Sequence, residues 1–142
     1  MKHGRILAIV AILPALLLLT CGQPESTAST KAVLEHHLQS VGAGNLDEVM
    51  ADYAADAVLY TPSGPLSGTT AIRGFFAALP EILPPGFWEN FKMVRQDVEG
   101  EIAYIVWSSP PAAPLGTDTF IIRNGRIVTQ TFAAYMVPTS SD

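Results

Sequence analysis

The residue with the most chemical promise is Asp118, inside Thr117-Asp-Thr-Phe-Ile-Ile122. Alternation along a strand puts its carboxyl on the face of Phe120 and Ile122. Loss of water there raises a carboxyl pKa and suits the group to act as acid, hydrogen-bond donor or base. The plainer alternative is a strand-end aspartate bound to its threonine neighbours or open to solvent at a pocket mouth. His37 stands at steps of four between Val33 and Val41, so it points inward from a helix. It can carry protons toward Asp118, although a lone histidine on an apolar face is also an ordinary core residue. Asp118 and His37 are the candidate catalytic pair. Around them Tyr53 and Tyr60 can offer hydroxyls, and Gln130 an amide from the Val128, Gln130, Phe132, Ala134 face of the last strand. Phe75, Trp107, Phe120 and Phe132 can supply an apolar lining. Each of these can equally be packing or rim.

Other chemistries find less support. His36, beside Glu35 and Gln39, faces out, so the His36-His37 pair points two ways and suggests no metal site. No glycine-rich phosphate loop occurs, and no metal or cofactor is expected. Asp52 and Asp56 bracket the end of a helix and read as solvated, and Arg73 as half of a structural ion pair. Cys21 is the only cysteine; if it carries a lipid, no thiol remains for a disulfide, a metal or nucleophilic attack.

That lipid is suggested by the first residues. Lys2, His3 and Arg5 precede an uncharged run from Ile6 to Leu19, ending Leu18-Leu19-Thr20-Cys21. A run of about 14 residues is short of the roughly 20 that span a bilayer, and polar residues follow it. Residues 1–20 therefore read as a secretory signal. Leu-x-Thr-Cys resembles the bacterial lipobox, in which the cysteine is lipidated and becomes the mature N-terminus. The expectation is a protein of the bacterial cell envelope, on the exported side, held to the membrane through its lipid anchor alone. Residues 21–30 are too poor in apolar side chains to fold and read as a tether, and the tail 137–142 reads as disordered.

Without residues 1–20 the chain has 122 residues, enough for one domain and too few for two. It keeps 6 basic against 13 acidic residues, a formal charge of −7. Such a surface has no basic patch for nucleic acid and is repelled by anionic lipid.

The elements that must position the candidates follow from periodicity. Val33, Leu34, Leu38 and Val41 mark a helix from about Ala32, stopped by Gly42 and Gly44. Asn45-Leu-Asp-Glu48 reads as a capping box opening a short helix with Leu46, Val49, Met50 and Tyr53 on one face. Ala57–Tyr60 is a β-prone run closed by the turn formers Thr61 to Pro65. Thr69 or Thr70 can cap a third helix with Ile72, Phe75, Phe76 and Leu79 inward, before Pro80 and Pro84-Pro85 forbid its continuation. Four strands follow, Phe91–Val98, Ile102–Trp107, Thr117–Arg123 and Arg126–Tyr135, the last two joined through Asn124-Gly125, a strong hairpin signal. The expected fold is α+β, a cone-shaped curved antiparallel sheet packed against three helices, over residues 31–136.

The stretch Gly-Asn-Leu-Asp-Glu-Val-Met-Ala-Asp-Tyr-Ala-Ala-Asp-Ala-Val-Leu-Tyr-Thr-Pro-Ser-Gly-Pro (44–65), then Gly68-Thr-Thr-Ala-Ile-Arg-Gly-Phe-Phe76, resembles the SnoaL-like branch of the nuclear transport factor 2-like superfamily. Asn124-Gly-Arg-Ile127 fits the same pattern. The resemblance implies the cone fold. It leaves activity open, because the superfamily holds ketosteroid isomerases, polyketide cyclases, dehydratases, epoxide hydrolases and non-catalytic modules. Against the isomerases, the general-base aspartate is replaced by Thr61, whose hydroxyl cannot take the proton. The oxyanion-hole tyrosine corresponds to His37, and the hydrogen-bonding aspartate to Asp118. The Asp-Arg-Asp set of the epoxide hydrolases is missing, since the strand around Trp107 has no arginine.

Three functions stay open: binding of a small, mostly apolar molecule in the cone; acid/base isomerisation, dehydration or cyclisation of a hydrophobic substrate by Asp118 and His37; and a non-catalytic dimerisation module forming a homodimer. Asp118 and His37 on one enclosed volume favour the enzyme. A cavity without them favours binding. An exposed Asp118, or a pocket closed by side chains to less than about the 300 Å³ typical of small-molecule sites, removes the basis for both and leaves the module.

Overall fold

The computed structural model describes residues 26–138. The signal-like segment, Cys21, most of the tether and residues 139–142 lie outside that range.

Helix α1 (Thr27–Gly42) begins at Thr27 rather than at Ala32. Ser26 and Ser29 cap it reciprocally, each side chain accepting the other's backbone N–H at 3.1 Å. The sheet then holds this polar first turn in place: the Thr30 hydroxyl donates to the Gly100 carbonyl at 2.6 Å, and the Gly100 N–H donates to Thr27 Oγ1 at 3.0 Å. Residues 27–30 lack apolar periodicity, so a partner distant in sequence supplies the order that their own composition does not.

Helix α2 (Leu46–Ala51) is capped by Asn45, which accepts the Glu48 N–H at 3.3 Å. The reciprocal half of the box does not form, because the Asn45 N–H already donates to the Ser40 carbonyl at 3.0 Å. Strand β1 (Tyr53–Thr61) starts at Tyr53, so this residue belongs to the sheet and not to the helix face. The turn formers after it make a tight hairpin into a short edge strand, β2 (Gly64–Ser67), which periodicity did not reveal. Helix α3 (Gly68–Ile82) contains Thr69 and Thr70 instead of being capped by them. Pro80 does not stop it; one lost N–H near the end is tolerable, and the Leu83 N–H still reaches the Leu79 carbonyl at 2.9 Å.

The remaining strands are β3 (Lys92–Glu99), β4 (Ile102–Ser109), β5 (Ala113–Arg123) and β6 (Arg126–Tyr135). Asn124 and Gly125 both have positive φ, 52° and 68°, as a two-residue type I′ turn demands. β5 starts at Ala113, earlier than Thr117, because Leu115 and Gly116 find pairing partners in Tyr135 and Ala134. Beyond β6 the Val137 N–H donates to the Ala112 carbonyl at 2.8 Å, so the domain extends past residue 136.

The strand order is β2-β1-β6-β5-β4-β3. All pairs are antiparallel except β1 with β6, which corrects the expectation of a wholly antiparallel sheet. The sheet is curved and unclosed, and the fold class is α+β as expected. α3 packs on β1 and β2, while α1 crosses β3, β4 and β5. Leu34, Leu59, Ile72, Ile122 and Ile127 form the tightest part of the core beneath them. Among the described residues, no helix is long and apolar enough to cross a membrane.

Candidate functional site

The strand register decides which side chains can meet. On the inner face Trp107 lies opposite Gly116, Ile105 opposite Asp118, and Ala103 opposite Phe120. Across the next ladder Asp118 faces Phe132 and Phe120 faces Gln130. Asp118 therefore has apolar residues directly beside it, and Trp107 and Gln130 at the diagonals, where long side chains still reach. Both reach it. Trp107 Nε1–H donates to Asp118 Oδ2 at 2.7 Å, and Gln130 Nε2–H donates to Asp118 Oδ1 at 2.7 Å.

This pairing orients the rest of the network. With its Nε2 committed to the carboxyl, Gln130 turns Oε1 toward Tyr53, whose hydroxyl donates to it. Asp118 is 6% exposed, and burial raises its pKa above the usual carboxylate range. The N–H donors of Gln130 and Trp107 and the His37 ring pull the other way without cancelling the shift. Burial also raises Tyr53 well above an ordinary phenol, with the Asp118 and Asp52 carboxylates adding to it, so Tyr53 remains a donor.

Gly116 makes the arrangement possible. A Cβ there would run into the Trp107 indole, which lies over the bare β5 backbone on its way to Asp118. Trp107 is flanked by Phe87, Phe91 and the stacked ring of Phe132. The segment carrying Phe87 is tied down by Ser109, whose hydroxyl donates to the Phe87 carbonyl at 2.6 Å.

Between this wall and helices α1 and α3 is a cavity of about 240 Å³. Seven predicted site residues line it: Asp118, His37, Phe75, Trp107, Phe120, Gln130 and Phe132. Leu38, Val41, Phe76 and Leu79 complete the helical side, and the partly exposed Trp88 and Met136 stand at its rim. Two predicted residues do not reach it. Tyr60 is 49% exposed, since strand alternation turns Leu59 inward in its place. Tyr53 is buried behind the wall and meets the cavity only through Gln130. Asp118 is held by Trp107 and Gln130, not by threonine hydroxyls. Thr61 is likewise outside the cavity, spending its hydroxyl on the Gly64 carbonyl at 2.9 Å.

His37 is 1% exposed and walled edge-on by Tyr53, Phe76 and Phe120. Its neighbour Asp52, read as solvated, is instead 8% exposed. Six residues of α2 retrace about 9 Å, which brings the chain back to the level of His36 and His37. His36 Nδ1 lies 2.8 and 3.0 Å from the two Asp52 oxygens, and His37 Nδ1 lies 3.5 Å from Oδ2. The antiparallel run of two helices joined by Gly42–Asn45 was the available signal for this contact. Asp56 is exposed, and Arg73 pairs with Asp47 at 2.6 Å, as the sequence suggested. Among the described residues, no cluster of three potential metal ligands occurs.

The sequence model of the SnoaL-like domain family matches residues 34–130. Among solved structures, the fold is similar to a SnoaL-like protein of unknown function from Burkholderia thailandensis (TM-score 0.64, 18% identity, covering 80% of this chain and 99% of that one). It is also similar to a candidate polyketide cyclase from Sinorhizobium meliloti (TM-score 0.61, 19% identity, covering 74% and 98%). A candidate ketosteroid isomerase from Kribbella flavida aligns with a TM-score of 0.62 at 13% identity, covering 81% and 84%. At these identities the likeness concerns the fold alone.

Proposed function

The chain belongs to the SnoaL-like family of the nuclear transport factor 2-like superfamily, and from that premise we propose that it binds a small, mostly apolar molecule in the cavity between α1, α3 and the sheet. The observation that carries this reading is an apolar, aromatic-walled space with its polar groups, Asp118, Gln130 and His37, gathered on the wall where β5 and β6 meet α1. Such a site buries a ring and aligns one polar atom. Its volume of about 240 Å³ is below the roughly 300 Å³ at which drug-sized sites begin. By that volume alone the module is favoured, so the binding reading rests on the lining and on a space that still exceeds the roughly 150 Å³ that holds benzene. The expected ligand is therefore a single substituted ring, and a multi-ring steroid is too large to be enclosed.

The acid/base reading gains one specific support: Asp118, with its raised pKa, and His37 line the same cavity. Substrates would be small hydrophobic carbonyl or hydroxyl compounds undergoing isomerisation, dehydration or cyclisation. The base expected from the isomerase pattern is replaced by Thr61, so any proton abstraction falls to Asp118 or His37. A homodimer is a further reading, favoured by apolar side chains on the outer sheet face, where Leu115 and Tyr135 pair at 52% and 63% exposure. The lipid on Cys21 would place the domain at the envelope surface; Cys21→Ser should release it from the membrane fraction.

Mass spectrometry of the natively purified protein tests the central reading, with a one-ring compound expected to co-purify. Asp118→Asn then separates binding from turnover. A binding protein largely keeps its affinity, since Gln130 can reverse its amide to suit the asparagine. An acid/base enzyme loses about 10²-fold or more in rate. A protein that carries no ligand and binds no one-ring phenol or enone would not have this function.

A further inference from the structure

The buried carboxylate of Asp52 does not line the cavity, yet it faces His37, one of the polar groups that do. Among the described residues, His37 Nδ1 is the only buried side-chain nitrogen or oxygen without a hydrogen-bond partner. It looks onto Asp52 Oδ2 at 3.5 Å, with the two side chains 2% and 10% exposed. The carboxylate is not free to turn away. His36 Nδ1 holds both its oxygens, and the other His36 nitrogen lies 3.4 Å from Glu48 Oε2. The backbone of Asp52 is pinned as well, its carbonyl accepting the Ile127 N–H from β6 at 2.7 Å.

A neutral imidazole has one N–H and one lone pair, on different nitrogens. A lone pair on Nδ1 would face the electron-rich carboxylate in a dry, low-dielectric setting, which is repulsive. A proton on Nδ1 makes the same contact attractive. The distance is long for a hydrogen bond, but the surrounding rings of Tyr53, Phe76 and Phe120 offer Nδ1 no competing partner. With Nδ1 sealed, Nε2 is the only nitrogen of His37 left to meet a molecule in the cavity, and it is left without its proton.

Resting on the reading of the cavity as a ligand site, we infer that Asp52 is a positioning residue: it holds His37 in the Nδ1–H tautomer, so that Nε2 accepts from the ligand and selects rings that carry a hydroxyl over rings that carry only an acceptor. The other polar groups of the wall are largely committed to one another. Asp118 already receives two N–H groups, and Gln130 spends its Oε1 on Tyr53 and one N–H on Asp118, so the carboxylate and the amide oxygen are both engaged before a ligand arrives.

Two measurements test this, and they fail separately. The first is a long-range proton–nitrogen correlation spectrum of nitrogen-labelled histidine side chains in the full domain, recorded at mildly alkaline pH where a free imidazole is neutral. His37 should show the proton on Nδ1, and Asp52→Leu should shift it toward Nε2. A wild-type His37 protonated on Nε2 overturns the role of Asp52 even if the variant does not fold. The second compares phenol with anisole, the same ring with and without a hydroxyl proton. Phenol should bind about 10-fold more tightly to the wild type, the scale of one buried hydrogen bond. The preference should collapse in His37→Phe. Equal binding of the two by the wild type, or an undiminished preference in the variant, overturns the selectivity. If neither ring binds, the selectivity falls together with the cavity reading, while the spectrum still decides what Asp52 does.

Discussion

The concave side of the sheet is filled in two different ways. Under the start of α1 and α3, aliphatic side chains interlock: Leu34, Leu59, Ile72, Ile122 and Ile127 have essentially no exposed surface. Toward the other end of the helices the residues are aromatic, and Phe75, Phe76, Phe91 and Phe132 are only partly buried around the cavity. Branched aliphatic chains adapt to irregular gaps, whereas flat rings meeting edge to face leave space between them. The hollow end also carries the polar network. Trp107 and Gln130 are held upright by Asp118, and Gln130 again by Tyr53, so the walls cannot fold into the space they enclose. A cavity of this kind persists because its lining is tethered at the back.

The largest effect should come from the packed end. Ile72→Ala should lower stability by about 2–5 kcal/mol, the range for emptying a fully buried aliphatic site. Phe75→Ala, at the hollow end, should cost distinctly less than the about 3–5 kcal/mol of a fully buried ring, because its ring already borders empty space. Denaturant midpoints of the two variants settle the contrast; equal losses would mean that the two ends are packed alike.

A smaller loss should follow at the tether itself. Gly116→Ala places a methyl where the indole lies and should destabilise by about 1–3 kcal/mol, as overpacking does. It should also push Trp107 away from Asp118. In a Trp88→Phe background the remaining indole fluorescence reports Trp107 alone, and an unchanged emission maximum would show that Trp107 does not depend on the glycine slot.

The subtlest prediction concerns pH. Burial raises the pKa of Asp118 in the folded protein above its unfolded value, so the folded state binds the proton more tightly. The stabilisation from that proton is fully present below the unfolded pKa, near 3.8. It is lost as pH rises through the elevated folded value. Asp118→Asn cannot titrate and lacks this contribution. Midpoints measured from acid to neutral pH should show the wild type losing stability relative to the variant as pH rises. Parallel curves would mean that Asp118 is no more desolvated when folded than when unfolded.

The parts of this molecule that were readable in advance rest on local rules. Asn124-Gly125 specifies its turn because both residues tolerate positive φ. Alternation around Asp118 puts it on the face of Phe120, and helical spacing turns His37 inward. Other readings needed the partner to be known. Tyr60 faces out and Tyr53 hides behind Gln130, although both are tyrosines in one strand, because a strand's inward parity depends on where its pairing begins. Gly116 looks like loop until Trp107 is seen lying over it.

The amino-acid sequence alone determined the three helices, five of the six strands and the inward-facing positions of Asp118 and His37, since these follow from periodicities of 3.6 or 2 residues and from turn chemistry, while the family was legible in the motifs at 44–65 and 68–76. Tertiary structure decided what those buried groups touch. Trp107 and Gln130 come to Asp118 by cross-strand register, and Asp52 comes to the two histidines because α2 runs back along α1. Contacts of that kind depend on distances set by the whole fold, and the cavity is the remainder left when all of them are satisfied together.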